Sequence, residues 1–231
     1  MFDLDDTLYE ERQYVLGGFR AVAEYLANHF SLDIDKVYEQ LVDVLEEQGR
    51  GKVFDTVLAR NNLNQEIVPN LVRVYREHQP GLTLYQDALE ALHRLQGHYY
   101  LGLITDGERN VQWQKIKALN LEGYLDIIVV TDDYGLECWK PSIYPFKMVE
   151  ERLKVEGEQI VYVGDNPSKD FIGARKIGWQ TVRVIREKGE HCTLRLDKTY
   201  EADYEVGNIL DLADIYADLC KIFGKESKKN G

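Results

Sequence analysis

The spacing of apolar residues divides the chain into a helical stretch and an alternating stretch. From about residue 10 to residue 79, apolar side chains recur every three or four positions, which predicts helices and no convincing strand. After residue 82, short apolar runs alternate with helical patterns. They predict strands at 99–105, 125–130, 160–163, 180–185 and 202–206, and helices at 87–95, 111–119, 142–153, 168–177 and 209–223. Such alternation is typical of an α/β fold, with a parallel sheet covered by helices on both faces.

The two patterns also predict two domains. We expect residues 1–9 and 82–224 to form a doubly wound core, and residues 10–81 to be inserted into it as an all-helical cap. Pro80 and Gly81 end the helical stretch. Residues 225–231, which are rich in lysine, are expected to be a disordered tail.

The net charge of −12 changes which partners are expected. It disfavours binding to nucleic acid or to an anionic membrane through a basic face. No apolar run has the length of a membrane span. The three cysteines, Cys138, Cys192 and Cys220, are far apart and form no Cys-x-x-Cys pair, which fits a reducing cytoplasm.

Four polar clusters lie at the ends of predicted strands or before a predicted helix. They are Asp3-Leu4-Asp5-Asp6-Thr7, Thr105-Asp106-Gly107, Lys140-Pro141 and the stretch 164–170, which reads Gly-Asp-Asn-Pro-Ser-Lys-Asp. Ligands of open parallel sheets bind at the carboxyl ends of the strands, so we expect the clusters to converge on one crevice.

Asp3 and Asp5 are the most informative pair in these clusters. If residues 1–3 are a strand, both carboxylates point to the same side of its end. Two anions so close repel each other unless a cation lies beside them. The pattern therefore predicts a metal-dependent site with one carboxylate as nucleophile and the other as proton shuttle.

Each cluster taken alone has an ordinary structural interpretation. Lys140 would be a solvated surface lysine, and Thr105-Asp106-Gly107 a turn that Asp106 stabilises. Asp165 and Asp170 would be turn or N-cap carboxylates. The functional interpretation depends on finding all four clusters together.

In their order and spacing, the clusters resemble motifs I to IV of the haloacid dehalogenase (HAD) superfamily, and the helical insert resembles that family's type-1 cap. The resemblance covers nearly the whole chain. It implies a Rossmann-like core and places the chain with the phosphatases of the superfamily.

The resemblance implies a role for each cluster. Asp3 corresponds to the nucleophile that forms an aspartyl-phosphate, and Asp5 to the general acid and base. The residues that correspond to the phosphate-binding groups are Thr105, Asp106, Gly107 and Lys140.

The resemblance also implies a Mg²⁺ cofactor. Asp3, Asp165 and the carbonyl of Asp5 correspond to its protein ligands, and Asp170 binds it directly, through water or through another ligand. Independently, hard oxygen donors with several retained waters are what Mg²⁺ takes.

The cap contains three candidates for recognition of the leaving group. Arg50 and Lys52 lie in the glycine-containing stretch 46–52, and Arg12 follows motif I. A surface hinge or an ordinary linker explains these residues equally well.

The leading hypothesis is Mg²⁺-dependent hydrolysis of a small phosphorylated metabolite, either a sugar phosphate or a nucleoside monophosphate, by a monomer or homodimer. Within this resemblance, Asp5 argues against a dehalogenase, because a halide leaving group needs no proton. Thr7 argues against a phosphomutase similar to β-phosphoglucomutase, since such mutases tend to carry Val at that position. A HAD domain that has lost catalysis and serves as a binding module is the alternative from another class.

The position of the first cluster is unusual. A strand in the middle of such a sheet has about five residues, whereas only Met1 and Phe2 precede Asp3. Either the natural chain begins a few residues upstream or the central strand is unusually short, and we favour the first.

Overall fold

The computed structural model describes residues 1–212. The chain divides into two compact units. One contains Met1–Glu10 and Thr83–Gly231, described here to residue 212, and the other contains Glu11–Leu82. These limits lie one residue beyond the predicted domain boundaries.

The unit Glu11–Leu82 is all-helical, as predicted. Its helices are α1 (Arg12–Phe30), α2 (Ile34–Gln48), α3 (Val53–Arg60) and α4 (Val68–Glu77), with a 3₁₀ turn at Gln65–Ile67 before α4. Its fully buried side chains include Val22, Leu26, Leu41, Val57 and Leu71. They come from all four helices, so the recurring apolar positions build one core.

The other unit alternates helices and strands. In chain order they are α5 (Gln86–Leu95), β1 (Gly102–Thr105), α6 (Arg109–Ala118), β2 (Ile127–Val130), α7 (Tyr144–Leu153), β3 (Val161–Gly164), α8 (Asp170–Lys176), β4 (Gln180–Val184) and β5 (Tyr204–Val206). β1 pairs with β2, β3 with β4 and β4 with β5, in each case parallel. The predicted α/β class is confirmed.

The N-terminal segment joins these strand pairs into one sheet. Phe2 forms parallel bridges to Leu103 on one side and to Val163 on the other. The Phe2 carbonyl accepts a hydrogen bond from Ile104 N at 2.9 Å, and Asp3 N donates to Val163 O at 2.8 Å. The strand order is therefore β2–β1–N-terminal segment–β3–β4–β5, and Asp3 emerges at the carboxyl end of the sheet's middle.

Several elements are shorter than predicted at their N-terminal ends. β1 begins at Gly102 and β2 at Ile127, because the Asp126 carboxylate accepts from Leu101 N at 2.8 Å and closes the ends of both strands. α8 begins at Asp170, after the turn formed by 165–169. Of the predicted helix 209–223, the described part is a 3₁₀ turn, Ile209–Asp211, and the start of a helix at residue 212. The rest of that helix and the tail 225–231 lie outside the described residues.

The core of this unit lies against the sheet and includes aromatic side chains. Phe146, Tyr162 and Trp179 are buried, and the Phe146 ring lies 5.2 Å from each of the other two ring centroids. This packing fixes the Tyr162 ring next to the polar residues described below. Among residues 1–212, no helix combines the length and apolar character that crossing a membrane requires.

Candidate active site

The buried ammonium of Lys140 connects two other predicted site residues, Asp3 and Asp170. Its Nζ donates to Asp3 Oδ1 at 2.5 Å and to Asp170 Oδ1 at 2.7 Å, and the side chains of Lys140 and Asp170 are fully buried. Nζ also contacts the Tyr162 hydroxyl at 2.9 Å and the Ile104 carbonyl at 3.3 Å. Because an ammonium has three donors, the first three contacts account for them and the longest one is shared.

Charge compensation explains how this lysine is buried. Burial alone would lower the pKa of Lys140, but Asp170 and Asp3 raise it well above its ordinary value, so the side chain stays charged. Burial raises the pKa of Asp3 to about 7, with Lys140 opposing that rise and Asp170 adding to it. The two carboxylates and one ammonium are therefore unbalanced, with a surplus of negative charge.

Asp165 adds a third buried carboxylate. Oxygen atoms of Asp3, Asp165 and Asp170 all lie within 4.8 Å of one another. Burial, Asp170 and Asp3 raise the pKa of Asp165 well above its ordinary value. Within residues 1–212 no hydrogen bond reaches the Asp165 carboxylate. A cluster of hard oxygen donors with surplus negative charge fits a hard divalent cation such as Mg²⁺.

Asp170 both closes a turn and belongs to this cluster. Its Oδ2 accepts from Asn166 N at 2.9 Å, which closes the turn that starts α8, while its Oδ1 accepts from Lys140. Gly164 makes room for it, since a Cβ at that position would lie 2.6 Å from Asp170 Oδ2. The structural interpretation of Asp170 as a turn residue and its place in the carboxylate cluster are therefore compatible.

A buried arginine holds the backbone of the same loop. Arg183, on β4, is fully buried, and its guanidinium donates to Asp165 O at 3.2 Å and to His191 O at 2.6 Å. It also contacts Glu201 Oε2 at 3.1 Å, which balances its charge. Arg183 thereby connects the loop containing Asp165 to the segment between β4 and β5.

Asp5 lies outside the three-carboxylate cluster and has its own partners. Its Oδ1 accepts from Tyr9 OH at 2.5 Å and from Lys115 Nζ at 2.7 Å, and its Oδ2 accepts from Gln112 Nε2 at 3.0 Å. Burial alone would raise the pKa of Asp5, but Lys115, Tyr9 and Gln112 hold it below its ordinary value. Its side chain remains 22% exposed. The two carboxylates of motif I thus occupy different electrostatic environments.

The motif II residues take three different positions. Thr105 ends β1, and its Oγ1 accepts from Gln112 Nε2 at 2.6 Å. The Asp106 carboxylate is used within the protein, since Oδ1 accepts from Thr131 Oγ1 at 2.8 Å and from Lys140 N at 3.1 Å. Gly107 has a φ of 136°, in the region that favours glycine. The Asp106 carboxylate therefore holds the backbone at Lys140, which is a structural role.

The three cap candidates lie in the helical unit. Arg12 forms an ion pair with Glu46, and Arg50 donates to Glu11 Oε2 at 2.6 Å. Lys52 is exposed and precedes α3. The predicted loop 46–52 is shorter than expected, because 46–48 form the last turn of α2, whose end is closed by a hydrogen bond from the residue 49 N–H to the residue 45 carbonyl.

Several residues that contact the site were not predicted from the sequence. They are Tyr9, Gln112, Lys115, Tyr162 and Arg183, and Lys169, whose Nζ lies 3.8 Å from Asp106 Oδ2. The sequence contains a signal for two of them, Gln112 and Lys115 of α6. Gln112 and Lys115 fall on the same helical stripe as the apolar Val111 and Ile116, and polar residues within a buried stripe need specific partners.

Comparisons with known proteins agree with this geometry. The family model described as "Haloacid dehalogenase-like hydrolase" matches residues 1–184. Among characterised relatives, a glyceraldehyde 3-phosphate phosphatase of Methanocaldococcus jannaschii is 28% identical over 96% of this chain and 97% of that protein. The glyceraldehyde 3-phosphate phosphatase of Methanopyrus kandleri is 30% identical over 96% of this chain and 97% of its own.

The fold has solved counterparts as well. The crystal structure of a HAD phosphatase from Thermococcus onnurineus superposes with a TM-score of 0.60, at 26% identity over 98% of both chains. Together with the extent of the family match, this establishes the lineage of the protein. The chain belongs to the family of haloacid dehalogenase-like hydrolases.

Proposed function

We propose that the protein is a Mg²⁺-dependent phosphatase that hydrolyses the phosphomonoester of a small metabolite through an aspartyl-phosphate on Asp3. The observation that carries the proposal is the separation of the two motif I carboxylates. Asp3 lies with Asp165 and Asp170 in one carboxylate cluster and accepts from the ammonium of Lys140, whereas Asp5 accepts from Lys115. This separation supports a role for Asp3 in attack at phosphorus and a role for Asp5 in proton transfer.

The reaction divides into two half-reactions. Asp3 attacks phosphorus, so that an Asp3 O–P bond forms while the bond to the leaving oxygen breaks. Asp5, whose pKa is low in the free protein, takes up a proton as the substrate binds and gives that proton to the leaving oxygen. Asp5 then accepts a proton from water as the water oxygen attacks the aspartyl-phosphate. Asp3 is released as a carboxylate, and inorganic phosphate is the second product.

The carboxylates of Asp3, Asp165 and Asp170 would hold the Mg²⁺ ion, with the carbonyl of Asp5 as a further ligand. When bound, the ion would offset the repulsion between the Asp3 carboxylate and an anionic substrate. Lys140 places a second, compact positive charge beside the nucleophile.

The motif II residues would bind the phosphoryl oxygens. Thr105 offers its hydroxyl, and Asp106 and Gly107 offer backbone N–H groups. We assign the backbone of Asp106 rather than its carboxylate to this role, because the carboxylate already accepts from Thr131 and from Lys140 N. A second anion facing the phosphate would also oppose binding.

Among small metabolites we favour a sugar phosphate. The two relatives named above are phosphatases of glyceraldehyde 3-phosphate, a three-carbon sugar phosphate, and each aligns over nearly its whole length. Nucleoside monophosphates are the second class to test. Arg12, Arg50 and Lys52 stay candidates for reading the leaving group, although Arg12 and Arg50 already have carboxylate partners in the helical unit.

Two alternatives are disfavoured by the site. A dehalogenase needs no proton donor for a halide, yet Asp5 is held by three separate donors. A binding module without catalysis would not need the buried arrangement of Lys140, Asp3 and Asp170, which is costly to desolvate. The two described cysteines, Cys138 and Cys192, are free thiols, which supports a cytoplasmic setting.

The test is a substrate panel measured with Mg²⁺ and again in EDTA. The panel contains p-nitrophenyl phosphate, sugar phosphates of three to six carbons and nucleoside monophosphates. We expect turnover that disappears with EDTA, returns with Mg²⁺ and is lost in Asp3→Asn with the fold intact. Absence of metal-dependent turnover on the whole panel would reject the proposal.

A further inference from the structure

The buried face of α6 carries two polar side chains that none of the four motifs contains. Gln112 is 1% exposed and Lys115 is 3% exposed. They are three positions apart, so they lie on the same side of the helix. Burying an amide and an ammonium is costly unless both are hydrogen-bonded, so their partners indicate why they are there.

Both side chains reach Asp5. Lys115 Nζ donates to Oδ1 at 2.7 Å, and Gln112 Nε2 donates to Oδ2 at 3.0 Å. Tyr9 OH adds a second donor on Oδ1 at 2.5 Å. Because both oxygens are held, the plane of the carboxyl group is fixed. Among residues 1–212, Oδ1 accepts two hydrogen bonds and Oδ2 accepts one, so Oδ2 has the open acceptor position and can face the leaving oxygen.

Gln112 also reaches Thr105. The amide nitrogen has two hydrogens, one for Asp5 Oδ2 and one for Thr105 Oγ1, which lies at 2.6 Å. A carboxylate only accepts, so the nitrogen and not the oxygen of the amide must face Asp5. Since Thr105 Oγ1 acts as the acceptor, its own proton is directed elsewhere. Gly107 leaves space for this amide, because a Cβ there would lie 2.9 Å from Gln112 Cδ.

We propose that Gln112 and Lys115 are positioning residues, which together orient Asp5 Oδ2 towards the leaving oxygen and the Thr105 hydroxyl towards a phosphoryl oxygen. This inference rests on the proposed phosphatase function and extends it to α6. Neither residue touches the reacting atoms. Both residues hold Asp5, and the Gln112 amide also holds Thr105, so that this one amide keeps the proton donor and a phosphate-binding hydroxyl at a constant separation.

The experiment compares two aryl esters that differ in how much the leaving group needs a proton. p-Nitrophenolate leaves readily without one, whereas phenolate from phenyl phosphate benefits more from general acid catalysis. The value of kcat/KM for each ester is measured with Mg²⁺ in the unaltered protein, in Lys115→Met and in Gln112→Met. Lys117→Met, an exposed lysine on the same helix, is the matched control.

We expect both variants to lose about tenfold or more in kcat/KM on phenyl phosphate beyond their loss on p-nitrophenyl phosphate, since a positioned acid contributes roughly 10²–10⁴-fold. Lys117→Met should leave both values unchanged. Gln112→Met should also weaken inhibition by inorganic phosphate, because it releases the Thr105 hydroxyl, whereas Lys115→Met should not.

Equal losses on the two esters would show that the residues only support the fold and would overturn the inference. If Lys115→Met does not fold, as judged by thermal unfolding, Gln112→Met decides, because it exchanges one neutral side chain for another of similar size. If the unaltered protein hydrolyses neither ester, the proposed function fails, and the inference fails with it. A working protein with equal losses in the variants rejects the inference alone.

Discussion

The ammonium of Lys140 lies 2.5 Å from the carboxylate of Asp3, although 137 positions separate the two residues in the chain. Both groups are almost entirely shielded from water, since their side chains are 0% and 4% exposed. The attraction between the two charges of a buried ion pair is strong. Removing one partner is destabilising, because the other charge is then left buried without compensation. The pair therefore ties the third motif to the first and makes both sensitive to the loss of either partner.

Replacing Lys140 by Met tests that sensitivity. The change leaves Asp3 and Asp170 buried without their shared cation. We expect kcat/KM on the best substrate to fall by about 10²–10³-fold or more, as for the removal of one transition-state charge contact. In EDTA, the free energy of unfolding should fall by about 3 kcal/mol, as for a broken buried ion pair. Lys147→Met, an exposed lysine of α7, should change neither value.

Asp165→Asn separates metal binding from folding. In EDTA we expect the variant to be at least as stable as the unaltered protein, because the change removes one of three mutually repelling carboxylates. For the unaltered protein, Mg²⁺ at 100 times its Kd should add about 2.7 kcal/mol of stability, measured as a rise in Tm. That rise should vanish in Asp165→Asn and persist in Asp197→Asn, which alters an exposed acid. An unchanged response of Asp165→Asn to Mg²⁺ would remove this residue from the ligand set.

The pattern of apolar residues is sufficient to predict where the strands end. It therefore also predicts which residues gather around Lys140. Each motif follows an apolar run or precedes a helix, and parallel strands end at one edge, so convergence could be predicted without coordinates. The side chain of Arg183 could not be found in this way. It lies inside a predicted strand, and its partners at Asp165 and His191 depend on the order of the strands and on an irregular segment.

The buried polar residues of α6 could be predicted only in part from the sequence. Its pattern predicts a helix over 111–119, and the helix observed is Arg109–Ala118. The pattern does not say which motif the buried stripe faces, so the sequence indicates that Gln112 and Lys115 are buried polar residues but does not identify what they bind. Assigning Asp5 as their partner required the position of the N-terminal segment in the sheet.

The pKa of Asp87, which lies outside the four motifs, allows a prediction of how the free energy of unfolding depends on pH. Burial alone would raise its pKa, but Arg186, Ile209 N and Ala88 N hold the pKa below its ordinary value. A group whose pKa is lower in the folded state contributes stability above its unfolded value, about 3.9, and that stability is lost as the pH falls through the folded value.

We therefore expect Asp87→Asn to lower the free energy of unfolding at pH 7 by about 1–3 kcal/mol, the range for hydrogen bonds to a charged group. The difference from the unaltered protein should shrink as the pH falls below about 4. Denaturant unfolding at pH 7, 5 and 3 measures it. Glu90→Gln, whose partner Arg94 is exposed, should change stability by less than about 0.5 kcal/mol at each pH. A difference that is constant across this range would exclude the carboxylate charge as its source.

Gly164→Ala tests whether the carboxylate cluster depends on close backbone approach. The new Cβ would lie 2.6 Å from Asp170 Oδ2, and this carboxylate is pinned by Lys140 and by Asn166 N, so it has little room to move. We expect a loss of about 1–3 kcal/mol from overpacking. Because the displaced group belongs to the carboxylate cluster that we propose binds Mg²⁺, a higher Mg²⁺ concentration should also be needed for half-maximal activity.

Gly123→Ala is the matched control, since a Cβ at Gly123 has no heavy atom within 4 Å. It should leave both stability and the Mg²⁺ requirement unchanged. If Gly164→Ala lost stability but kept the Mg²⁺ requirement of the unaltered protein, Asp170 would be removed from the proposed ligand set. A joint change in both quantities is expected instead, because one carboxylate accepts from the turn through Oδ2 and from Lys140 through Oδ1.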